Sequence, residues 1–365
     1  MFSSTDYRFM AQALRLAEKG LYSTSPNPRV GCVLVRNDQV IGSGWHERAG
    51  GHHAEINALA ATATGAAQGA TAYLTLEPCS HHGRTPPCAE ALIKAGIAKL
   101  IIAMEDPNPL VSGRGCASLK AAGIEVQAGL MEAEARALNI GFISRMARNR
   151  PWVRMKIAAS LDGKTALNNG TSQWITGEAA RRDGHRLRAR SCAVLTGIGT
   201  VLADDPQLTV RHVNTPRQPL RVVVDSRLDI PVDAGLLRGG GELIFTATAS
   251  EGKIMALREV GARVIVLPGE DGGVDLAGMM RQLADFEINE VLIEAGFKLN
   301  GSLINAGLVD ELVIYLAPCL IGDAARGMMK LPELANLADK RALKINDVRM
   351  LGTDIRLTGS FSSVG

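Results

Sequence analysis

His53-Ala54-Glu55 is followed by two Pro-Cys pairs, Pro78-Cys79 and Pro87-Cys88. One imidazole and two thiolates can hold Zn²⁺ through three protein bonds, which leaves the fourth tetrahedral position to water. That is the layout of a catalytic rather than a structural site. Whatever fold the chain adopts must bring these three stretches to one point. Glu55, two residues after the histidine, is spare as a ligand and placed to carry protons.

Three ligands with a non-ligating glutamate match the zinc deaminases of nucleobases. Two plainer readings stand beside this one. Buried cysteines often serve as small hydrophobes, but that reading needs His53, Glu55 and both Pro-Cys pairs to coincide by chance. A structural zinc closed by a fourth protein ligand is the stronger competitor. Eight residues separate Cys79 from Cys88, a departure from compact Pro-Cys-x-x-Cys spacing, and the insert offers His81 and His82.

At 365 residues the chain is too long for one ordinary core, and two or three domains are expected. Hydrophobic residues at 46% and charged residues at 21% describe a compact soluble protein. A net charge of +3 and 4% aromatics disfavour a nucleic-acid partner, which wants a basic face and stacking rings. The six cysteines, at 32, 79, 88, 116, 192 and 319, show no disulfide-scaffold rhythm, so reduced thiols in a cytoplasmic setting are expected. The N-terminal residues lack a basic region followed by an apolar run, so no secretory signal is read there. The uncharged stretch from Glu55 to Glu77 is diluted by Thr, Gly, Gln and Asn and is not a membrane span.

Periodicity predicts alternating helices and strands. A helix over 5–19 has Thr5 as cap and Gly20 as stop. A hairpin joins Val30–Val35 to Gln39–Trp45. His53 opens a helix running to about Thr64, and Thr71–Leu76 is a strand. Pro78-Cys79 begins the next helix, whose dipole would favour a thiolate. Another short helix follows over Pro87–Ala95, then a strand over Lys99–Met104 and two further helix–strand units. The basic run Arg145–Pro151 reads as a helix end and linker, which sets domains at 1–147 and 148–365. After it, strands are expected at 152–159, 193–196, 220–225, 243–246, 263–267, 290–293 and 311–316, with helices around 177–190, 251–260, 275–285 and 298–306. This is a second α/β domain with its own sheet.

No Gly-x-Gly-x-x-Gly with a following acidic residue supports a Rossmann dinucleotide domain. Thr196–Thr200 and Glu294–Asn300 are glycine-containing turns that could admit phosphate at a helix start, though a packing or turn glycine is the better reading of each. Ser160–Lys164, Gln173–Thr176 and Asp204–Arg211 add polar groups, an exposed indole and an arginine suited to phosphate. Chemistry alone stops at a second domain that binds a phosphorylated ligand.

Taken together, the motifs resemble the RibD family, the bifunctional deaminase–reductases of riboflavin biosynthesis. In the first domain they are Pro26–Gly31, His53-Ala54-Glu55 and Glu77–Cys88; in the second, Ala159–Lys164, Ser172–Thr176, Leu202–Pro206 and Glu294-Ala295-Gly296. The long cysteine spacer is what this family shows. The resemblance implies an α/β chain with an N-terminal cytidine-deaminase-like three-layer domain and a C-terminal dihydrofolate-reductase-like domain using NADPH. The first would deaminate the phosphoribosylated diaminopyrimidinone derived from GTP; the second would reduce the ribosyl group to ribityl. It implies zinc on His53, Cys79 and Cys88, Glu55 as proton carrier, and Asn27 and His46 as pyrimidine contacts. It implies NADPH contacts at Ala158, Trp174, Thr200, Asp204, Ser226, Gly296, Phe297, Lys298, Leu299, Asn300, Gly301 and Ser302. Substrate contacts fall at Ser172, Arg188, Leu208, Arg211 and Glu294, and Lys156 is expected near the reacting sugar carbon. The expected partners are a small phosphorylated pyrimidine and further copies of the chain, with neither nucleic acid nor membrane. The rivals are a nucleic-acid base deaminase with an accessory domain and a non-catalytic zinc-stabilised binding protein.

Overall fold

A computed structural model of the chain describes residues 1–80, 87–109 and 111–361, so the candidate ligands His81 and His82 lie outside the described residues. The chain divides into two compact units, Met1–Asn149 and Arg150–Gly365.

In the first unit, helix α1 (Ser4–Glu18) is capped by Ser3 rather than Thr5. The Ser3 hydroxyl accepts the Asp6 N–H at 3.2 Å and the Asp6 carboxylate accepts the Ser3 N–H at 2.8 Å, a reciprocal capping box. Strands β1 (Gly31–Arg36) and β2 (Gln39–Trp45) form the expected hairpin. Asn37 and Asp38 take left-handed φ of 50° and 59°, as a two-residue turn matched to strand twist requires. Then come α2 (Ala54–Ala60), β3 (Thr71–Leu74), α3 (Cys88–Lys94), β4 (Lys99–Ile102), α4 (Arg114–Ala121), β5 (Glu125–Ala128), α5 (Glu132–Leu138) and α6 (Ile140–Arg148).

The sheet order is β2-β1-β3-β4-β5, with β1 antiparallel to its neighbours and β3, β4 and β5 parallel. Side-chain alternation divides β1 between two cores. Val33 and Val35 pack with Phe9, Met10 and Ala13 of α1, while Cys32 and Leu34 pack with Ala54, Ala58, Ala89, Leu92 and Leu119 of α2, α3 and α4. Helices cover both faces, a three-layer arrangement.

Several expectations are corrected here. The helix after His53 stops at Ala60 instead of about Thr64, and His53 is its N-cap residue rather than part of its first turn. Cys79 lies in a segment without regular secondary structure; the helix start in this region belongs to Cys88, with Pro87 as its N-cap. One helix–strand unit, not two, follows β4, because 132–148 forms two consecutive helices.

The second unit begins with β6 (Trp152–Ser160) and β7 (Lys164–Ala166), then α7 (Glu178–Arg190), β8 (Ala193–Gly197), α8 (Ile198–Asp204), β9 (Leu220–Val224) and β10 (Leu243–Thr246). It continues with α9 (Glu251–Glu259), β11 (Arg263–Val266), α10 (Leu276–Asp285), β12 (Glu290–Ile293), α11 (Phe297–Asn305), β13 (Glu311–Ala317), β14 (Arg326–Gly327), β15 (Leu343–Leu351) and β16 (Asp354–Phe361). Nine strands form one sheet in the order β11-β10-β9-β8-β12-β6-β13-β16-β15. The run from β11 to β13 is parallel; β16 and β15 complete it antiparallel. Strands β8 and β12 are buried along their whole length, as parallel strands covered on both faces must be. At the opposite strand ends Arg154 is sealed between Glu290 at 3.2 Å and Glu311 at 2.9 Å. Among the described residues, no helix is long and apolar enough to cross a membrane.

Candidate active sites

Helix α2 delivers His53 and Glu55 because β2 leaves room for it. A Cβ on Gly44 would stand 2.5 Å from the Ala58 nitrogen, and one on Gly42 2.5 Å from the Ala58 carbonyl. Two glycines on one face of β2 therefore let the backbone of α2 lie directly on the strand. The Asn57 amide fixes the contact by donating to the Trp45 carbonyl at 2.8 Å.

The result is a cluster of His53, Cys79 and Cys88 whose ligand atoms all lie within 4.8 Å of one another. His53 Nδ1 is 3.2 Å from Cys88 Sγ and 3.7 Å from Cys79 Sγ. Zn–N and Zn–S bonds of about 2.0 and 2.3 Å at a tetrahedral angle would separate nitrogen from sulfur by about 3.5 Å. The donor set and its spacing fit zinc. The hydrogen bond from the Cys88 thiol brings Cys79 down to about 4 against its burial, and His53 and the Cys88 N–H, 3.3 Å from Cys79 Sγ, act in the same sense. The same thiol bond raises Cys88. The bond to Cys79 raises His53.

Glu55 is 3% exposed, and burial pushes its carboxyl up to about 7. A group balanced there can both take and give a proton near neutrality. His46 stands edge-on to His53, ring centroids 5.4 Å apart. Its Nδ1 is 3.0 Å from the His52 carbonyl, which makes it the protonated nitrogen, so Nε2 accepts from the Asn27 amide at 3.0 Å. Burial lowers the His46 pKa, in keeping with a neutral ring. The loop carrying Asn27 is clamped at Arg29, whose N–H and C=O both bond the Asn139 side chain, at 2.8 and 2.9 Å. The structure thus gathers Asn27, His46, His53, Glu55, Cys79 and Cys88.

In the second unit the expected residues collect at the C-terminal ends of the parallel strands, where open sheets of this kind bind nucleotides. Glu294, just past β12, pairs with Arg188 of α7 at 2.5 and 3.0 Å and with Lys156 of β6 at 3.6 Å. Burial would raise the Glu294 carboxyl, but Arg188 and Lys156 outweigh it and hold it at about 2. Thr200 and Gly296 lie together: a Cβ on Gly296 would be 3.5 Å from Thr200 Oγ1, and one on Gly199 would meet open space. The first turns of α8 and α11 therefore lie side by side past the ends of neighbouring strands β8 and β12, with space at Gly199 and backbone N–H groups suited to phosphate. That cradle fits a dinucleotide such as NADPH.

Ser172 donates to Asp204 at 3.1 Å, and the Arg211 N–H donates to His185 Nδ1 at 3.3 Å. Leu208 is buried against Val194 and Leu292. Ala158 is paired in register with Tyr315 on β13. Lys298 and Ser302 are exposed on α11, Asn300 and Gly301 are buried in it, and Phe297 and Leu299 lie half-buried between. Trp174 is 69% exposed and stacks on Arg181 at 4.7 Å. The carbonyl of Ser226, beyond β9, accepts from Thr246 and Thr248.

Sequence reasoning assigns no role to Glu77, His185, or the Tyr315–Asp183–Arg356 network, in which both partners donate to Asp183 Oδ2 at 2.7 and 2.8 Å. Glu77 carried a signal, its place in Glu-Pro-Cys. The network, drawn from α7, β13 and β16, carried none.

Residues 151–357 match the RibD C-terminal domain family, and residues 3–104 match the cytidine and deoxycytidylate deaminase zinc-binding region. The riboflavin biosynthesis protein RibD of Escherichia coli is 47% identical, over 96% of this chain and 98% of that protein. The Haemophilus influenzae protein of the same name is 46% identical over 98% of each. The chain belongs to the RibD family. Acinetobacter baumannii RibD superposes with a TM-score of 0.91 at 45% identity, covering 98% of this chain and 99% of that one. The Thermotoga maritima diaminohydroxyphosphoribosylaminopyrimidine deaminase/5-amino-6-(5-phosphoribosylamino)uracil reductase gives 0.88 at 31% identity, with the same coverage. As a RibD-family member the chain is a bifunctional deaminase–reductase of riboflavin biosynthesis. It pairs a cytidine-deaminase-like N-terminal domain with a dihydrofolate-reductase-like C-terminal domain, and its cofactors are Zn²⁺ and NADPH.

Proposed function

We propose that His53, Cys79 and Cys88 hold the zinc, that Glu55 moves the protons of deamination, and that Lys156, Glu294 and Arg188 frame the reduced sugar. The observation that carries this is the three-ligand cluster with a buried, non-ligating carboxylate beside it. The substrate is the phosphoribosylated diaminopyrimidinone, in keeping with the activity named for the Thermotoga maritima relative.

Bound zinc lowers the pKa of water towards 7 and so supplies a nucleophile at neutral pH. Glu55 takes one proton of the attacking water and delivers it to the ring nitrogen, then carries the remaining proton of the added hydroxyl to the amine, which leaves as ammonia when the C–N bond breaks. Asn27 and His46 hold the pyrimidine beside the cluster, and burial of the pocket keeps bulk water from competing for these contacts.

In the second domain bound NADPH supplies the hydride. Lys156, in the middle of β6, holds a proton-donating ammonium towards the sugar oxygen while Glu294, 3.6 Å from it, fixes its direction. Arg188 keeps Glu294 ionised. Ser172, Leu208 and Arg211 position the substrate; the turns at Thr200 and Gly296–Ser302, with Ala158, Trp174, Asp204 and Ser226, hold the cofactor. The deaminase domain is Met1–Asn149 and the reductase domain Arg150–Gly365, two residues past the expected boundary, which would cut α6.

The free state of all six cysteines supports a cytoplasmic setting. A homo-oligomer is supported by β15, a nine-residue edge strand. Its irregular register between Ile345 and Asp347 keeps Ile345, Val348 and Met350 on one face, 48%, 60% and 61% exposed. A long apolar edge strand normally needs cover.

Purified protein supplied with the pyrimidine and NADPH should release ammonia first and oxidise the cofactor second. Cofactor oxidation without ammonia release, or equal turnover of a non-phosphorylated sugar, would overturn the assignment.

A further inference from the structure

Glu77 lies two residues before Cys79 and is 3% exposed. Its Oε2 accepts the Asp106 N–H at 3.1 Å and the Gly113 N–H at 2.9 Å, and its Oε1 accepts the Cys116 N–H at 3.1 Å. Its own N–H donates to the Met104 carbonyl at 3.0 Å. One buried carboxylate therefore gathers both ends of the segment from 105 to 116, and the first turn of α4, onto the stretch of chain that leads to Cys79.

A second contact bears on the same place. A Cβ on Gly115 would stand 2.0 Å from the Pro78 carbonyl oxygen and 3.3 Å from Glu77 Cγ. The first turn of α4 thus packs its bare backbone onto Pro78, the residue between Glu77 and the ligand. From the other side α3 grips Cys79 itself: the Cys88 N–H reaches its sulfur at 3.3 Å and the Ala89 N–H its carbonyl at 3.2 Å. Residues 77–79 have no regular secondary structure to hold them. What fixes Cys79 is this pair of anchors.

We propose that Glu77 is a positioning residue for the metal centre, setting Cys79 Sγ against His53 and Cys88 by tying residues 77–79 to the 105–116 segment, with Gly115 as the matching surface. The proposal rests on the zinc reading above. Glutamine at 77 would keep the volume but turn one acceptor oxygen into a donor facing an N–H. At least one of the three bonds must then be lost. A thiolate displaced by a few tenths of an ångström still binds metal, but less tightly, and supporting residues of metal ligands typically carry about 10–100-fold in affinity.

The test uses the full chain, zinc-loaded, with transfer of zinc to a colorimetric chelator, deamination, NADPH-dependent reduction of supplied deaminated product, and the melting midpoint of zinc-free protein. Glu77→Gln should yield zinc to the chelator roughly tenfold more readily. Its deamination should fall and recover in excess zinc, while reduction stays at the wild-type rate. Gly115→Ala should reproduce the pattern, and Glu77→Asp, which keeps both oxygens, should lie between. Wild-type zinc affinity in Glu77→Gln would overturn the proposal. So would weaker deamination that follows the melting midpoint with zinc affinity unchanged, the mark of a merely structural residue. Should Glu77→Gln fail to fold, Glu77→Asp and Gly115→Ala are read by the same criteria. Full deamination by wild-type protein stripped of zinc would instead refute the zinc reading itself.

Discussion

Arg188 and Glu294 meet end to end, Nε to Oε1 at 2.5 Å and Nη2 to Oε2 at 3.0 Å, with Lys156 Nζ 3.6 Å from the same carboxylate. The pair faces inward, 14% and 12% exposed, so breaking it leaves a largely desolvated charge. Removing the carboxylate as Glu294→Gln should cost about 3–5 kcal/mol of stability and most of the reductase activity, with deamination retained. The pH dependence has a definite sign. The Glu294 pKa is depressed from 4.5 to about 2, so its stabilisation is complete above 4.5 and disappears as pH falls towards 2. Denaturant unfolding at pH 5 and pH 3 should show a larger loss for wild type than for Glu294→Gln, by about 2 kcal/mol at most. Parallel losses would mean that the carboxylate is not held ionised by its neighbours.

Lys156→Met removes one of the two cations that face Glu294 while keeping much of the side chain's length. Reduction should fall by roughly a hundredfold or more, the size expected when a transition-state donor is lost. NADPH affinity, read by fluorescence titration, should change little. A variant that reduces normally but binds NADPH poorly would move Lys156 from the sugar to the cofactor.

Glu55→Gln keeps the shape of α2 and removes the proton carrier. We expect zinc content equal to wild type, deamination lowered by about 10²–10⁴-fold, and reduction of supplied deaminated product unaffected. Metal analysis beside the two assays checks all three. Loss of zinc from this variant would make Glu55 a ligand rather than a base.

Cys79 offers a test that needs no substrate. In zinc-free protein its thiol is held near 4 by the Cys88 thiol, so at pH 6 it is largely thiolate and half-accessible. Iodoacetamide should label Cys79 before the other cysteines, at a rate that rises through pH 4 and then levels off, and zinc should abolish the labelling. Mass spectrometry of digested protein gives the order directly.

How far the sequence revealed these sites depended on the range of the forces involved. His53, Glu55, Cys79 and Cys88 were legible because a metal demands particular donors, whatever the surrounding fold. The strands β8 and β12 were legible because burial on both faces forces unbroken apolar runs. The exact placement of His53 as an N-cap was not, since helix ends depend on tertiary contacts such as Gly42 and Gly44 against Ala58. Cys79 was assigned to a helix start because Pro-Cys looks like one locally; the helix N–H that reaches its sulfur comes instead from Cys88. The β15–β16 hairpin is not legible because Lys344, Asp347, Arg349 and Arg356 interrupt its apolar alternation; Asp347 pairs with Arg349 on its own strand and with Arg356 across the hairpin.

That same hairpin yields the last prediction. Strand β15 closes one edge of the nine-stranded sheet and turns Ile345, Val348 and Met350 to solvent on one face. Each such side chain gains about 1.5–3 kcal/mol if fully covered, enough for three of them to drive association of two copies. A charge in the middle of the stripe would have to be desolvated by the same association, which reverses its sign. Val348→Lys should therefore shift sedimentation from an oligomer towards monomer at micromolar concentration, while Lys344→Ala, a change of charge off the stripe, should not. Because Val348 lies outside both proposed active sites, deamination by the monomeric variant should persist. A wild-type chain that sediments as a monomer, or a Val348→Lys variant that assembles as wild type does, would remove β15 from the interface.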